Sequence, residues 1–79
     1  MARAKTMKVV FTFPTTTQAM KMEQCMKESG APGRLIPVPR QISSGCGMAW
    51  SAPVEDRLKL EALAGEKGIE VEGLYELLL

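Results

Sequence analysis

The segment from residue 7 to residue 30 constrains the fold most, because a strand pattern runs directly into a helix with a defined start and end. Residues 7–13, MKVVFTF, alternate with period two and are rich in β-branched and aromatic side chains, which predicts a β-strand. Thr15 followed three residues later by Gln18 matches a capping box, which satisfies free amides at a helix start. We therefore predict a helix over residues 16–29 that ends at Gly30.

The rest of the chain adds three strand patterns and one more helix pattern. RLIPVP, residues 34–39, predicts a short strand whose prolines confine it to a sheet edge. CGMAWS, residues 46–51, predicts a third strand, and Ser51 is a candidate cap for a helix that continues to about Ala64. IEVEGLYEL, residues 69–77, predicts a last strand.

The resulting order is β-α-β-β-α-β, which is typical of a ferredoxin-like fold. We expect an α+β two-layer sandwich with an antiparallel-dominated four-stranded sheet and both helices on one face. Right-handed crossovers place the third strand between the first two, which are parallel to each other. The turn before the third strand should then lie beside the start of the first helix. Residues 1–6 are predicted to be a flexible tail, and residues 7–79 a single domain.

Composition excludes several classes of function. The chain has 79 residues, a formal net charge of +1 and scattered cations, which argues against nucleic-acid binding through a basic face. No apolar run is long enough to span a membrane, and two cysteines do not suggest a secreted disulfide scaffold, so we expect a cytoplasmic protein. Histidine is absent, which excludes catalysis by histidine and metal sites that use histidine ligands. Common nucleotide motifs are also missing, so we predict neither metal nor cofactor.

The sequence RQISSGCG concentrates groups that favour a reactive thiol at Cys46. Flanking glycines let backbone amides approach the sulfur, serine hydroxyls can donate hydrogen bonds, and a nearby helix start adds positive charge. No general base lies nearby, which suits a thiolate that accepts a soft atom better than one that hydrolyses a bond. The candidate thiolate-stabilising residues are Arg40, Ser43, Ser44, Gly45 and Gly47, with Thr15, Thr16 and Thr17 at the helix start.

Structural explanations compete with these functional ones. Serine and glycine fill tight turns for conformational reasons alone, and cysteine is often buried and inert. Cys25 lies on the apolar side of the first helix, where packing is the better interpretation. Trp50 is expected in the core, or in a dimer face if it points to the open side of the sheet. The methionines fit core packing, although Cys with Met could bind Cu(I); they are Met20, Met22, Met26 and Met48.

FPTTTQAMKME followed by LIPVPRQISSGCGMA resembles a family of small bacterial proteins described as Se/S carrier protein-like. The resemblance extends from about Val9 to Tyr75 and implies a small cytoplasmic domain that handles selenium or sulfur. The sequence departs from the better-known sulfur-relay carriers in one respect. Those carriers use a Cys-Pro-x-Pro motif at a helix start, and this sequence lacks that motif. The positions carried over by motif are Thr15, Thr16, Thr17, Pro37, Pro39, Arg40, Ser43, Ser44, Gly45, Cys46 and Gly47.

Three hypotheses follow from the sequence. The first is a carrier or transfer accessory, rather than a stand-alone enzyme, in which Cys46 accepts persulfide sulfur or selenide between donor and acceptor proteins. The second is a non-catalytic module that binds a small anion or a protein through the same turn, with Cys46 incidental. The third is a structural homodimer that uses the open sheet face and Trp50, since so short a chain has marginal stability alone.

Overall fold

The structure, a computed structural model, describes residues 6–42 and 47–79. These residues form one antiparallel sheet in the order β2-β3-β1-β4. The strands are β1 (Met7–Thr12), β2 (Arg34–Pro37), β3 (Met48–Pro53) and β4 (Gly73–Leu78). Helix α1 (Thr16–Ser29) connects β1 to β2, and a 3₁₀ turn (Val54–Asp56) followed by α2 (Arg57–Glu66) connects β3 to β4. The ferredoxin-like fold is confirmed, with β3 between the parallel strands β1 and β2.

Helix α1 has the predicted bounds because its two ends are stabilised locally. The hydroxyl of Thr15 accepts a hydrogen bond from the Gln18 amide at 3.4 Å, and Gly30 ends the helix with φ of 69°. The Gln18 side chain contributes a contact that the capping box did not predict. Its Oε1 accepts a hydrogen bond from the Glu70 amide at 2.9 Å. Gln18 therefore joins the start of α1 to the segment that precedes β4.

The main core lies between the sheet and both helices. Phe11 and Trp50 are opposite each other on β1 and β3, and their side chains pack in this core. Trp50 is only 2% exposed, so its placement in the core is confirmed and it does not form a dimer face. Burial of these side chains is the principal source of stability. This helix-side core contains Val9, Phe11, Phe13, Ala19, Met22, Met26, Trp50, Ala52, Leu60, Ala64 and Ile69.

A smaller apolar cluster covers part of the opposite sheet face. Val10 and Ala49 project from the central strands, and Ile42 packs onto them from the connection between β2 and β3. Leu77 and Leu79 pack against the same cluster from the β4 side. The sheet thus buries apolar side chains on both faces, although helices cover only one. We call Val10, Ile42 and Ala49 the outer cluster.

The predicted cap at Ser51 is wrong, because β3 continues past it to Pro53. Ser51 pairs with Val10 on one side and with Arg34 on the other, and it is 8% exposed. The ladder with β1 extends β3 beyond the point at which local propensity favoured a helix. Helix α2 consequently begins at Arg57 and ends at Glu66.

The last strand begins later than its alternating pattern predicted. Ile69 is buried in the helix-side core, and its amide donates to the Ala64 carbonyl at 2.9 Å. The Glu72 amide donates to the Thr12 carbonyl at 2.7 Å, and the strand proper starts at Gly73. Residues 69–72 therefore bring the chain from α2 to the edge of β1, and only the following residues pair with that strand.

The ends of the described chain meet beside the sheet. Thr6 and Leu79 exchange two backbone hydrogen bonds of 3.1 and 3.2 Å, which extend the β1–β4 ladder. The rest of the predicted tail, residues 1–5, lies outside the described residues. In the part of the chain that the structure describes, neither helix has the length and apolar character required to cross a bilayer.

Gly33 permits a close approach between the start of β2 and the indole of Trp50. Its φ is 118°, and a Cβ added there would lie 2.5 Å from Trp50 Nε1 and 2.6 Å from the Ser51 carbonyl oxygen. Both distances are shorter than nonbonded contacts allow, and one neighbour is backbone that cannot rotate away. The structure therefore requires glycine at this position.

We predict that Gly33→Ala lowers the free energy of unfolding by about 3 kcal/mol, from steric overlap and an unfavourable φ together. Gly30→Ala is the matched control, because Gly30 also has a positive φ but has open space where its Cβ would be. That control should lose only about 1 kcal/mol. Urea unfolding measures both changes, and equal losses would contradict the close approach at Gly33.

Candidate functional site

Most of the predicted site residues lie in the connection between β2 and β3, residues 38–47. Cys46 and three of its candidate stabilising residues, Ser43, Ser44 and Gly45, lie outside the described residues. The structure does describe both ends of this connection. The Val38 amide donates to the Gly47 carbonyl at 3.0 Å, next to the last β2–β3 pair, Pro37 with Met48. This hydrogen bond closes the connection at its base.

Ile42 attaches the connection to the sheet. Its amide donates to the Pro39 carbonyl at 3.0 Å, which closes a tight turn with Arg40 and Gln41 exposed at its tip. Its side chain is 8% exposed and packs in the outer cluster against Val10. Sequence reasoning missed this anchor, although Ile42 is the only apolar residue within RQISSG and could have indicated it.

Gly47 marks the point at which the connection returns to the sheet. It is exposed, has φ of 75° and directly precedes β3. Thr12 pairs with Ala49, so the same register continued by two residues puts Gly47 level with Pro14, shortly before α1 begins. The predicted placement of the connection at the α1 end of the sheet is therefore confirmed. The proximity of Cys46 to the threonines remains a prediction.

The three threonines differ in their structural roles. All three are exposed, but only Thr15 is the N-cap of α1, whereas Thr16 and Thr17 are its first helical residues. The first amides of a helix attract anions, so this end of the sheet carries partial positive charge. Arg40 is also exposed and forms no ion pair with the described residues. These groups are accessible from solvent.

The second cysteine belongs to the core rather than to this connection. Cys25 is half-buried on α1 and packs against the helix-side core beside the buried Met22 and Met26. Those two methionines therefore fill the core as predicted, while Met20 is exposed and Met48 is half-buried. Within residues 6–42 and 47–79, no group of three or more His, Cys, Asp or Glu residues could hold a metal ion.

A separate ion-pair cluster joins α2 to the edge strand β4. Arg57 Nη1 lies 2.6 Å from the Glu76 carboxylate, and Arg57 Nε lies 3.3 Å from that of Glu61. The hydrogen bond to Glu76 is the main reason that the pKa of Arg57 is raised above its usual value. The groups are solvent-exposed, so the pair orients α2 against β4 and adds little stability.

We predict that Thr15→Ala lowers the free energy of unfolding by about 1 kcal/mol, because it removes the hydroxyl that caps α1. Thr16→Ala is the matched control, since Thr16 is also exposed but does not cap the helix, and its effect should be about a few tenths of a kcal/mol. Urea unfolding of the two variants tests this difference. A loss at Thr16 as large as that at Thr15 would contradict the assigned cap.

Comparison with known proteins identifies one family. A family model described as "Putative Se/S carrier protein-like" matches residues 8–76 of the 79-residue chain. The matched region includes all the candidate site residues, from Thr15 to Gly47. No curated protein and no solved structure matches this chain.

Proposed function

The chain belongs to the Se/S carrier protein-like family, and on that premise we propose that Cys46 accepts a sulfur or selenium atom and passes it to an acceptor. The observation that carries this proposal is the family match across residues 8–76, which contains the SSGCG motif. The only other thiol, Cys25, packs against the core in the middle of a helix. Cys46 is therefore the better candidate for the carrier thiol.

The proposed loading step is a thiol exchange that requires no oxidant. The Cys46 thiolate attacks the outer sulfur of a persulfide on a donor protein. A new S–S bond forms on Cys46 as the S–S bond of the donor breaks, and the donor cysteine leaves as a thiolate. The selenium version forms an S–Se bond on Cys46 in the same way. A nucleophile on the acceptor then takes the outer atom and releases the Cys46 thiolate.

Several features of the scaffold support this chemistry. The connection that contains the motif is closed at its base by the Val38–Gly47 hydrogen bond and anchored by Ile42. Gly47, the last residue of the connection, lies at the end of the sheet that also contains the first amides of α1. Amide dipoles stabilise a thiolate or a persulfide anion. We propose that Gly45 and Gly47 let further backbone amides approach the sulfur and that the hydroxyls of Ser43 and Ser44 donate hydrogen bonds to it.

Arg40 and the threonines complete the proposed site. The exposed guanidinium of Arg40 would attract an anionic donor, and Thr15, Thr16 and Thr17 would supply the helix-start amides. The chain has no histidine to act as a general base, which favours an accessory that works with donor and acceptor proteins over a stand-alone enzyme. We expect it to work in the cytoplasm, where thiols stay reduced.

The direct test is mass spectrometry of the protein after incubation with a persulfide donor. We expect the parent protein to gain one sulfur atom at Cys46, and Cys46→Ser to lose this labelling. Cys25→Ser is the matched control, because it removes the other thiol and should load like the parent. Loading of Cys46→Ser at the level of the parent protein would disprove the carrier role of Cys46.

The rate of alkylation against pH tests the thiolate itself. A free cysteine titrates at about pH 8.5, so a stabilised thiolate should react at its half-maximal rate at a lower pH. The Cys25→Ser background removes the competing thiol from this measurement. A midpoint at or above about pH 8.5 would indicate an unactivated thiol. It would favour the alternative module, in which the same turn binds an anion or a protein partner without using Cys46.

A further inference from the structure

An open cleft of about 740 Å³ lies on the sheet face that the helices do not cover. It extends across β2, β3 and β1, and its lining includes Pro39, which lies beyond the end of β2, and Leu79, which follows β4. Its apolar and small residues include Ile36, Pro37, Pro39, Ala52, Pro53 and Leu79. Lys8, Arg34 and Ser51 contribute polar side chains to it.

Two cationic side chains give the cleft a positive charge that no described side chain balances. Lys8 and Arg34 both line it, and no described residue that lines it is Asp or Glu. Neither cation forms an ion pair with the described part of the chain. Arg57, by contrast, pairs with Glu61 and Glu76 on another face. The cleft therefore favours an anionic ligand.

Ser51 adds a hydroxyl group to the cleft. The residue is 8% exposed, and its place opposite Val10 and Arg34 in the ladder puts its side chain on the cleft side of the sheet. Its hydroxyl forms no hydrogen bond with any described residue. The oxygen is not among the buried side-chain atoms that lack a partner, so it is open to solvent from the cleft. The hydroxyl is therefore available to donate a hydrogen bond to an oxygen atom of a ligand.

The strand register brings these three side chains within reach of one small group. Arg34 is directly opposite Ser51, which corresponds to about 5 Å between Cβ atoms. Ser51 is opposite Val10, so Lys8 is diagonal to it at about 7–8 Å. The long side chains of Lys8 and Arg34 can bridge these separations. All three residues therefore surround one point above β3.

We propose that this cleft binds a small organic anion whose oxyanion head, a phosphate or a carboxylate, is held by Lys8, Arg34 and the Ser51 hydroxyl. The apolar body of the ligand lies against Ile36, Pro53 and other apolar residues of the cleft. Phosphate and carboxylate share the ability to accept several hydrogen bonds from cations and hydroxyls. This site does not depend on Cys46, so it should bind its ligand equally well in Cys46→Ser.

The test is a ¹⁵N NMR titration at low salt with phenyl phosphate and with benzoate, and benzyl alcohol serves as the neutral comparator. We expect at least one of the two anions to shift the amides of Arg34 and Ser51 saturably, and to bind at least tenfold more tightly than benzyl alcohol. The anion that binds more tightly identifies the preferred head group. Absence of a saturable shift with both anions, or equal binding of benzyl alcohol, would overturn the proposal.

Substitutions locate the binding within the cleft. Lys8→Gln and Arg34→Gln should each weaken binding of the preferred anion about tenfold, since each removes a charge-assisted hydrogen bond. Ser51→Ala should weaken it about fivefold. Lys59→Gln is the matched control, because it removes the same charge from an exposed position on α2 and should change affinity less than about twofold. Equal losses in Lys8→Gln and Lys59→Gln would show nonspecific charge attraction and overturn the site.

Discussion

The position of β3 between β1 and β2 is the constraint on which the rest of the structure depends. Its register sets Trp50 opposite Phe11 on the face covered by the helices, and Ser51 opposite Val10 on the other face. A shift of one residue would exchange these two faces for every side chain of the strand. One pairing register therefore determines the core, the outer cluster and the floor of the cleft.

Local sequence patterns were sufficient to predict the first half of the fold. The strand before Thr15 and the helix that ends at Gly30 have strong periodicity and clear boundary residues, and both appear at the predicted positions. Prediction failed where long-range pairing was decisive. Ser51 resembles a helix cap, but pairing with β1 keeps it in a strand. Residues 69–72 alternate like a strand, yet they form the crossing segment before β4.

The candidate site was only partly predictable for the same reason. Topology correctly placed the β2–β3 connection at the α1 end of the sheet. As the only apolar residue of its segment, Ile42 could have indicated an anchor, but not that it packs on Val10, because that contact depends on which strands are neighbours. The cleft was equally hidden, since Lys8, Arg34 and Ser51 are distant in sequence and meet only through the ladder. Strand order, rather than proximity in sequence, brings the side chains of the cleft together.

The hydrogen bond between Val38 and Gly47 also has a consequence for how such a chain can diversify. It joins the first and last residues of the connection, so the β2–β3 hairpin is closed by residues on either side of the segment 39–46. Doubling the length of a closed loop costs only about 0.6 kcal/mol. The segment that contains the thiol can thus change in length and composition while the sheet that supports it stays the same.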